Sequence, residues 1–247
     1  MNQTIGTLHA RKSVRVYTDR PIEQDVENAI LEAAIQAPTA GNMSLYTILD
    51  ITDPAIKAAL AKSCDNQPFI ATAPMVLIFC ADYRRWYESF RRYAPDARKP
   101  GMGDLFLAQA DAIIAAQNTV VAAESLGVGS CYIGDVIENF EYHRELLNLP
   151  NHVVPAAMLC FGYPTEQQIR REKPARFKAE DLVHENGYDL AKSEALPWML
   201  MERQVLSDDE VPCWLRRMCQ RKWNSDFSRE MNRSAQAMAD DWCDAQR

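Results

Sequence analysis

The sequence predicts an α+β fold, in which helices cover a central sheet and a C-terminal extension follows. Segments with helical spacing alternate along the chain with strand-like segments. Two of the strand-like segments are almost continuously apolar, as strands buried on both faces are. The chain has 247 residues, 47% of them apolar, which is enough for a substantial core in one large domain or two small ones.

The first predicted helix and strand follow the opening twenty residues. Apolar residues recur at helical spacing over residues 21–38, with Pro21 in the predicted first turn and Pro38 as the stop. Residues 45–51 are rich in β-branched and aromatic side chains and predict a strand. Asp53 then caps a second helix, which has a proline at its first position.

Two buried strands and one long helix dominate the middle of the sequence. Residues 74–82 and 154–164 are the near-continuous apolar segments. Residues 104–126 predict a helix with a stripe of small residues, and Gly127 is its expected C-cap. Such a stripe permits close helix packing, either in a core or across a dimer interface. The stretch GVGSCYIGDV that follows is interpreted as a tight turn.

The remaining segments have weaker patterns. Residues 83–103 form a charged, aromatic and mobile excursion, and residues 138–150 predict a short helix. A charged extended stretch follows over residues 165–189, and two C-terminal helices are predicted over residues 212–222 and 226–243. We expect one domain over residues 1–190 and a helical extension over residues 191–247 that packs on a partner subunit.

Composition excludes several classes of function. The net charge of −7 disfavours a nucleic-acid partner. The N-terminus has no apolar segment of the signal-peptide kind, and polar residues interrupt the apolar stretch 105–127, so we expect no membrane span. Seven scattered cysteines without a CxxC pair indicate reduced thiols in the cytoplasm. Four histidines without zinc-type spacing give no support for a metal site.

A cationic cluster stands out against this acidic background. Three cations and a hydroxyl fall within five residues: Arg11, Lys12, Ser13 and Arg15. Most charge runs are solvated surface, but here alternating valines predict an extended segment that places Ser13 and Arg15 on one side. Guanidinium groups with a short hydroxyl donor suit a phosphate monoester. A second basic group, RREKPARF at 170–177, would add Lys173 and Arg176 if the fold brought them there.

At this point the sequence resembles a known family. ARKSVRVYTDRPI is similar to the R-[RK]-S-x-R-x-[FY] opening of the nitroreductase family of FMN-dependent oxidoreductases. Four further segments follow in family order over residues 5–189: AAIQAPTAGNMSLYTILDI, DNQPFIATAPMVLIFCAD, AAESLGVGSCYIGDVIEN and FGYPTEQQIRREKPARFKAEDLVHENGY. The flavin reductase and oxygen-insensitive NADPH nitroreductase branch is the most similar. The resemblance implies a mixed or antiparallel sheet surrounded by helices in an intertwined homodimer.

The resemblance also implies roles for individual residues. The N-terminal cluster, Arg11, Lys12, Ser13 and Arg15, would hold the FMN phosphate, with Lys173 and Arg176 closing over it. Gln67 would hydrogen-bond the pyrimidine edge of the flavin, and Tyr132, Ile133, Gly134 and Asp135 would line the ring near N5 and O4. Glycine at position 134 also allows backbone to approach a planar ring without a Cβ. Pro38, Thr39 and Asn42 would come from the partner subunit.

The implied activity is hydride transfer from NADPH or NADH through flavin N5 to a nitroaromatic, quinone or flavin acceptor, in a ping-pong sequence. No side chain acts as a catalytic base, and residues 83–103 could form a lid. Arg221 and Lys222 are weak candidates for the NADPH phosphate. Two alternatives stay open: a flavin-binding or sensing protein without turnover, and a specialised member such as a reductive dehalogenase.

The sequence departs from the family pattern in the loop assigned to the partner subunit and near its second basic group. Ser44, Leu45 and Tyr46 replace the usual Gln, Pro and Trp, and Arg176 stands one residue later than in the branch. These departures weaken the assignment of the partner-chain contacts and of Arg176.

Overall fold

The protein is described by a computed structural model that covers residues 2–244. Residues up to 171 and from 230 onward form one compact unit, and residues 172–229 form a second. The boundary predicted at residue 190 from the sequence lies inside the second unit. The prediction that residues 191–247 pack on a partner subunit stays a prediction.

The first unit holds a four-stranded sheet of β1 (Tyr46–Asp50), β2 (Met75–Asp82), β3 (Gly129–Ile133) and β4 (Val153–Gly162). The spatial order is β1-β2-β4-β3, and each neighbouring pair is antiparallel. Every residue of β2 and β4 is buried, because these two strands are central and both of their faces are covered. The α+β fold class is therefore confirmed.

The helices of the first unit are α1 (Gln3–Ala10), α2 (Gln24–Ile35), α3 (Pro54–Ser63), α4 (Phe69–Thr72), α5 (Arg84–Tyr93), α6 (Met102–Ser125), α7 (Phe140–Leu146) and α8 (Glu166–Arg170). The second unit contains α9 (Ala179–Leu182), α10 (Leu190–Glu194), α11 (Leu196–Gln204) and α12 (Val211–Met218). The last helix, α13 (Asp226–Asp244), belongs to the first unit from Glu230 onward.

Alternation along the central strands produces two cores, one on each face of the sheet. Leu77 and Phe79 pack with residues of α2 and α6, whereas Val76 and Ile78 pack with residues of α3 and α4. A third cluster at one end of the sheet contains Leu45, Phe140 and the fully buried Trp242 of α13.

Most predicted elements are present, and three predictions were wrong. Residues 165–189, predicted as an extended stretch, contain the short helices α8 and α9. The tight turn predicted from GVGSCYIGDV is the edge strand β3, which pairs with β4 despite its glycine and serine. Pro21 precedes α2, which begins at Gln24, so it does not lie in the first turn. Asp53 caps α3 as expected, since its carboxylate accepts from Ala55 N at 2.7 Å.

The small-residue stripe of the long helix α6 was expected to pack either in a core or across a dimer interface. Ala108, Ala112 and Ala115 are fully buried in the cores of the first unit. Gly127 adopts a left-handed conformation (φ 77°) after the helix, as the C-cap prediction requires. By length and composition α6 could also cross a membrane, a property it shares with the core helices of soluble proteins.

Candidate functional site

The cationic segment runs along edge strand β3 in an extended conformation. Ser13 forms an isolated parallel bridge with Ser130, and Val14 N donates to Ser130 O at 2.9 Å. Further along, Thr18 N donates to Tyr163 O at 2.8 Å. The backbone of the segment is thereby fixed against the sheet, and its side chains have a rigid support.

Two glycines make this close approach possible. A Cβ on Gly129 would stand 2.6 Å from the Val14 side chain, and one on Gly162 would stand 2.7 Å from the Tyr17 ring. Any other residue at either position would push the segment away from the sheet. The Tyr17 hydroxyl donates to Val14 O and Cys160 O at 2.9 and 3.3 Å, which fixes the far end of the segment.

The cations of the segment differ in what they bind. The Nε and Nη2 atoms of Arg11 are buried, and neither has a hydrogen-bond partner within the described residues. The Lys12 ammonium instead donates to the carbonyls of Ile169, at 2.7 Å, and Arg171. Leaving guanidinium N–H groups buried and unpaired is costly, so Arg11 is poised for an anionic ligand.

Arg11, Ser13 and Arg15 all act electrostatically on residues of β3. Burial raises the pKa of Cys131, and Arg15, the Ser13 hydroxyl and Arg11 act in the opposite direction. Burial also raises the pKa of Tyr132 to about 12, against the influence of Arg11. The electrostatic influence of the three side chains therefore reaches β3, and the prediction that Ser13 and Arg15 share one side stays a prediction. The hydroxyl of Ser130, buried and unpartnered within the described residues, lies on the same strand.

A second group of predicted residues lies where β3 ends. Gln67 Nε2 donates to Asp135 Oδ2 at 2.5 Å and to Cys64 O at 3.0 Å. Asp135 lies in the 3₁₀ turn Gly134–Ile137 that follows the strand. A Cβ built on Gly134 has nothing within 4 Å in the described part of the chain, which leaves open space beside this turn.

Acidic side chains surround this turn. Glu138 is only 7% exposed, and its Oε1 has no partner within the described residues. Burial raises the pKa of Glu138 to about 7, with further contributions from Asp135, Asp65 and Glu230. The end of β3 is therefore an acidic region, opposite in sign to the segment that runs along the strand.

The loop predicted to reach the partner subunit is held by a carboxylate that the sequence reasoning missed. Asp111 of α6 is 3% exposed, and it accepts from the Thr39 hydroxyl, from Ala40 N at 3.0 Å and from Leu45 N at 3.1 Å. The Thr39 hydroxyl accepts in turn from Ser44 N at 2.8 Å. Three loop residues adopt left-handed conformations: Gly41, Asn42 and Ser44.

Neither Asp111 nor Arg171 was predicted from the sequence, and only Asp111 shows a sequence pattern that could have revealed its role. Asp111 falls on the stripe of Ala108, Ala112 and Ala115, and a carboxylate on the buried face of a helix must find donors. That pattern could have predicted an anchoring role. Arg171, whose guanidinium donates to Ser13 O, belongs to the basic RREKPARF stretch, but nothing in that stretch separates it from its neighbours.

The other predicted cations lie in the second unit. Lys173 is engaged by an interaction within the protein, and Arg176 Nη1 donates to Pro174 O at 2.8 Å. Lys222 lies 5.5 Å from the centre of the Phe227 ring, and Arg221 contacts the sulfur of Met218. Their proposed roles toward phosphate groups stay predictions.

The excursion over residues 83–103 contains α5, which is fixed to the first unit by several side chains. Trp86 Nε1 donates to Met43 O at 2.7 Å, and Tyr87 is buried. At the other end, Arg98 pairs with Asp104 of α6 at 2.5 Å. Between these points Tyr93 is 77% exposed, so the excursion has anchored ends and an exposed middle.

The fold is that of an α+β protein with a cationic segment along β3, and comparison with known proteins identifies its family. The sequence model of the Nitroreductase family matches residues 8–163. The oxygen-insensitive NADPH nitroreductase of Salmonella typhimurium is 36% identical over 188 residues, which cover 76% of this chain and 75% of that protein. The chain belongs to the nitroreductase family, as the sequence motifs indicated.

Solved structures agree with this assignment. NfrA1 of B. megaterium matches with a TM-score of 0.82 and 27% identity, over 96% of this chain and 99% of that one. The NADPH:FMN oxidoreductase from Vibrio harveyi, solved in complex with NAD⁺, matches with a TM-score of 0.76 and 27% identity, over 96% and 98% of the two chains.

Proposed function

We propose that this protein is an FMN-dependent oxidoreductase that uses NADPH or NADH to reduce nitroaromatic, quinone or flavin acceptors in a ping-pong sequence. Relatives named as an NADPH nitroreductase and FMN reductases support this proposal. The observation that carries it is that Nε and Nη2 of Arg11, in the same segment as Ser13 and Arg15, are buried and have no partner within the described residues. A flavin phosphate would supply the acceptor oxygens that these donors lack.

Each cation of the segment would have a distinct task. Arg11 would offer two N–H groups to the phosphate, and Ser13 and Arg15 would bind its other oxygens. Lys12 has two donors engaged by backbone carbonyls, so it would fix the segment and add positive charge, with at most one donor left for the phosphate. Lys173 and Arg176 are proposed as further cations from the second unit.

The end of β3 would hold the flavin ring. Tyr132, Ile133, Gly134 and Asp135 would line one edge, and the open space beside Gly134 would admit a planar ring close to the backbone. FMN bound there would supply the redox chemistry, hydride transfer between the reduced nicotinamide and the acceptor. The protein contributes binding and orientation, and the exposed middle of residues 83–103 is proposed to select the acceptor.

We propose that the active form is a homodimer. The face of α6 opposite its buried stripe exposes Phe106 and Leu107, by 68% and 50%, and Ile113 by 41%. Such a contiguous apolar surface is typical of an interface. In the dimer, Pro38, Thr39 and Asn42 would reach the flavin bound by the partner. Asn42 is exposed, and its side chain makes no hydrogen bond within the described residues.

A single substitution tests the dimer. Phe106→Glu would place a charge in the apolar face, and we expect light scattering to report a monomer that binds FMN more weakly. Phe90→Glu is the control, because Phe90 is 39% exposed on α5 and should leave the dimer intact. An unchanged mass for Phe106→Glu would contradict this interface.

The proposed activity is tested by an absorbance spectrum of the undialysed protein and an anaerobic titration with NADH and then NADPH. Oxidised-flavin bands that bleach with a donor are the expected result, and they also identify the preferred donor. Bands that persist would indicate binding without turnover, and the absence of bands after addition of FMN would overturn the proposal.

We propose a cytoplasmic location, since all seven cysteines are free thiols.

A further inference from the structure

The side-chain amide of Gln67 has a single orientation in this structure. Its nitrogen lies 3.0 Å from Cys64 O and 2.5 Å from Asp135 Oδ2, and both of these atoms are acceptors when Asp135 is ionised. Rotating the amide by half a turn would set its carbonyl oxygen against two oxygens. The network therefore fixes which end of the amide faces the protein.

In this orientation, Gln67 can only accept a hydrogen bond from a ligand. A primary amide has two N–H donors, and here Cys64 O and Asp135 accept from both. The carbonyl oxygen Oε1 accepts from no group within the described residues. Gln67 consequently meets a ligand only as an acceptor, although its residue type allows both roles.

The backbone holds both partners in place. Asp65 and Asn66 adopt left-handed conformations after α3, and Gln67 N then donates to Ala61 O at 2.8 Å. On the other side, Asp135 O accepts from Glu138 N at 3.0 Å within the 3₁₀ turn. The pairing of Gln67 with Asp135 thus joins two fixed turns, and it does not depend on a flexible loop.

We propose that Asp135 is a positioning residue that makes Gln67 an acceptor for the N3–H group of the flavin. This inference rests on the proposed function. The pyrimidine edge of a flavin carries one donor, N3–H, between the two acceptors O2 and O4. A side chain that offers only a carbonyl oxygen pairs with N3–H and with neither neighbour. Asp135 therefore makes the site selective for flavins with a free N3–H, through Gln67.

The test compares the binding of FMN and of N3-methyl-FMN to the apoprotein by flavin fluorescence. The methyl group removes the N3–H donor, so the native protein should bind FMN at least about tenfold more tightly, the equivalent of one hydrogen bond. Asp135→Asn keeps an acceptor oxygen for Gln67 and should retain that ratio. Asp135→Ala frees the amide to rotate, and the ratio should fall below about threefold.

Asp65→Asn is the matched control. Asp65 belongs to the same acidic region but makes no hydrogen bond to Gln67, so the variant removes one negative charge without releasing the amide. It should keep the native ratio. Equal ratios in the native protein and Asp135→Ala, or an equal loss in Asp65→Asn, would overturn the proposal. A native protein that binds neither flavin would instead overturn the proposed function, and the inference with it.

A second pair of variants decides the question if Asp135→Ala does not fold. Gln67→Glu sets two carboxylates against each other and should weaken FMN binding by about tenfold. Adding Asp135→Asn supplies a donor to the carboxylate introduced at position 67, while the second oxygen of that carboxylate stays available to N3–H. The double variant should recover FMN affinity and the discrimination against N3-methyl-FMN, and failure to recover either would overturn the proposal.

Discussion

The cationic segment along β3 and the acidic region after the strand carry opposite charge, and each contains buried polar atoms with no partner within the described residues. Along the strand, Arg11 presents buried donors that no described residue accepts. After the strand, Glu138 is buried among other acidic side chains, and its Oε1 has no donor within the described residues. A folded chain normally pairs such buried groups, so these atoms support the ligand site proposed above.

Helix α5 is a third charged region, and three of its charged side chains are paired with one another. On α5, Glu88 lies 3.8 Å from Arg84 and 3.7 Å from Arg91, and all three side chains are substantially exposed. Sequence composition alone does not separate this helix from the N-terminal segment, since both are rich in arginine. The difference appears only when burial and partners are known, and it supports the proposal that Arg11 binds the ligand.

The largest expected effect comes from removing the Arg11 guanidinium, whose Nε and Nη2 have no partner within the described residues. Arg11→Met should weaken FMN binding by two orders of magnitude or more, because a buried charged hydrogen bond to phosphate is worth about 3 kcal/mol. Riboflavin, which lacks the phosphate, should bind the variant and the native protein equally. Fluorescence titrations with both flavins measure the two effects.

Arg91→Met is the control for this comparison. It removes the same charge from the paired, exposed region, so FMN affinity should change by less than about twofold. An equal loss in both variants would mean that net charge alone attracts the cofactor, and the contrast between the two regions would fail.

Asp111 is the opposite case to Glu138, because its buried carboxylate accepts hydrogen bonds from three donors. Asp111→Ala should destabilise the protein by about 2 kcal/mol, because it leaves the Thr39 hydroxyl and two backbone N–H groups unpaired. Urea unfolding measures the loss. Asp111→Asn keeps an acceptor and should cost less, and an Asp111→Ala variant as stable as the native protein would refute the anchoring role.

The sequence could predict the parts of this molecule that depend on local pattern. The buried strands β2 and β4, the long helix with Gly127 after it, and the extended conformation of the segment around Ser13 all follow from periodicity or residue preference. Edge strand β3 could not be predicted, because Gly129 serves the packing of Val14, which is distant in sequence. Long-range packing of this kind leaves no mark in a local window.

At the candidate site, too, residue types could be predicted from the sequence and hydrogen-bond partners could not. The residues proposed to surround the flavin could be predicted from motifs, but the orientation of Gln67 depends on Asp135, a residue 68 positions away. Likewise, nothing in the sequence shows that Lys12 is engaged by the carbonyls of Ile169 and Arg171 while Nε and Nη2 of Arg11 have no partner within the described residues. Hydrogen-bond partners across such separations are set by the tertiary structure alone.

The smallest expected effect tests the acidic end of β3 through pH. The pKa of Glu138 is raised to about 7 in the folded protein, above its ordinary value of 4.5. Between these two values the folded state holds a proton that the unfolded state has released, so stability falls as pH rises from about 5 to 7.5. Glu138→Gln cannot ionise, and relative to the native protein it should gain on the order of 1 kcal/mol across this range, allowing for solvent screening.

The measurement is the free energy of unfolding of both proteins at pH 5.5 and pH 8, compared as a difference. Burial lowers the pKa of His143 and His152, which gives a pH dependence of the opposite sign, but both proteins share it and it cancels. Glu141→Gln is the control, because hydrogen bonding to Arg233 lowers the pKa of Glu141 to about 2 and its contribution is constant over this range. If Glu138→Gln follows the native curve, the carboxyl ionises as it does in water. The acidic end of β3 would then be an ordinary solvated surface, and the contrast with Arg11 would rest on the cationic end alone.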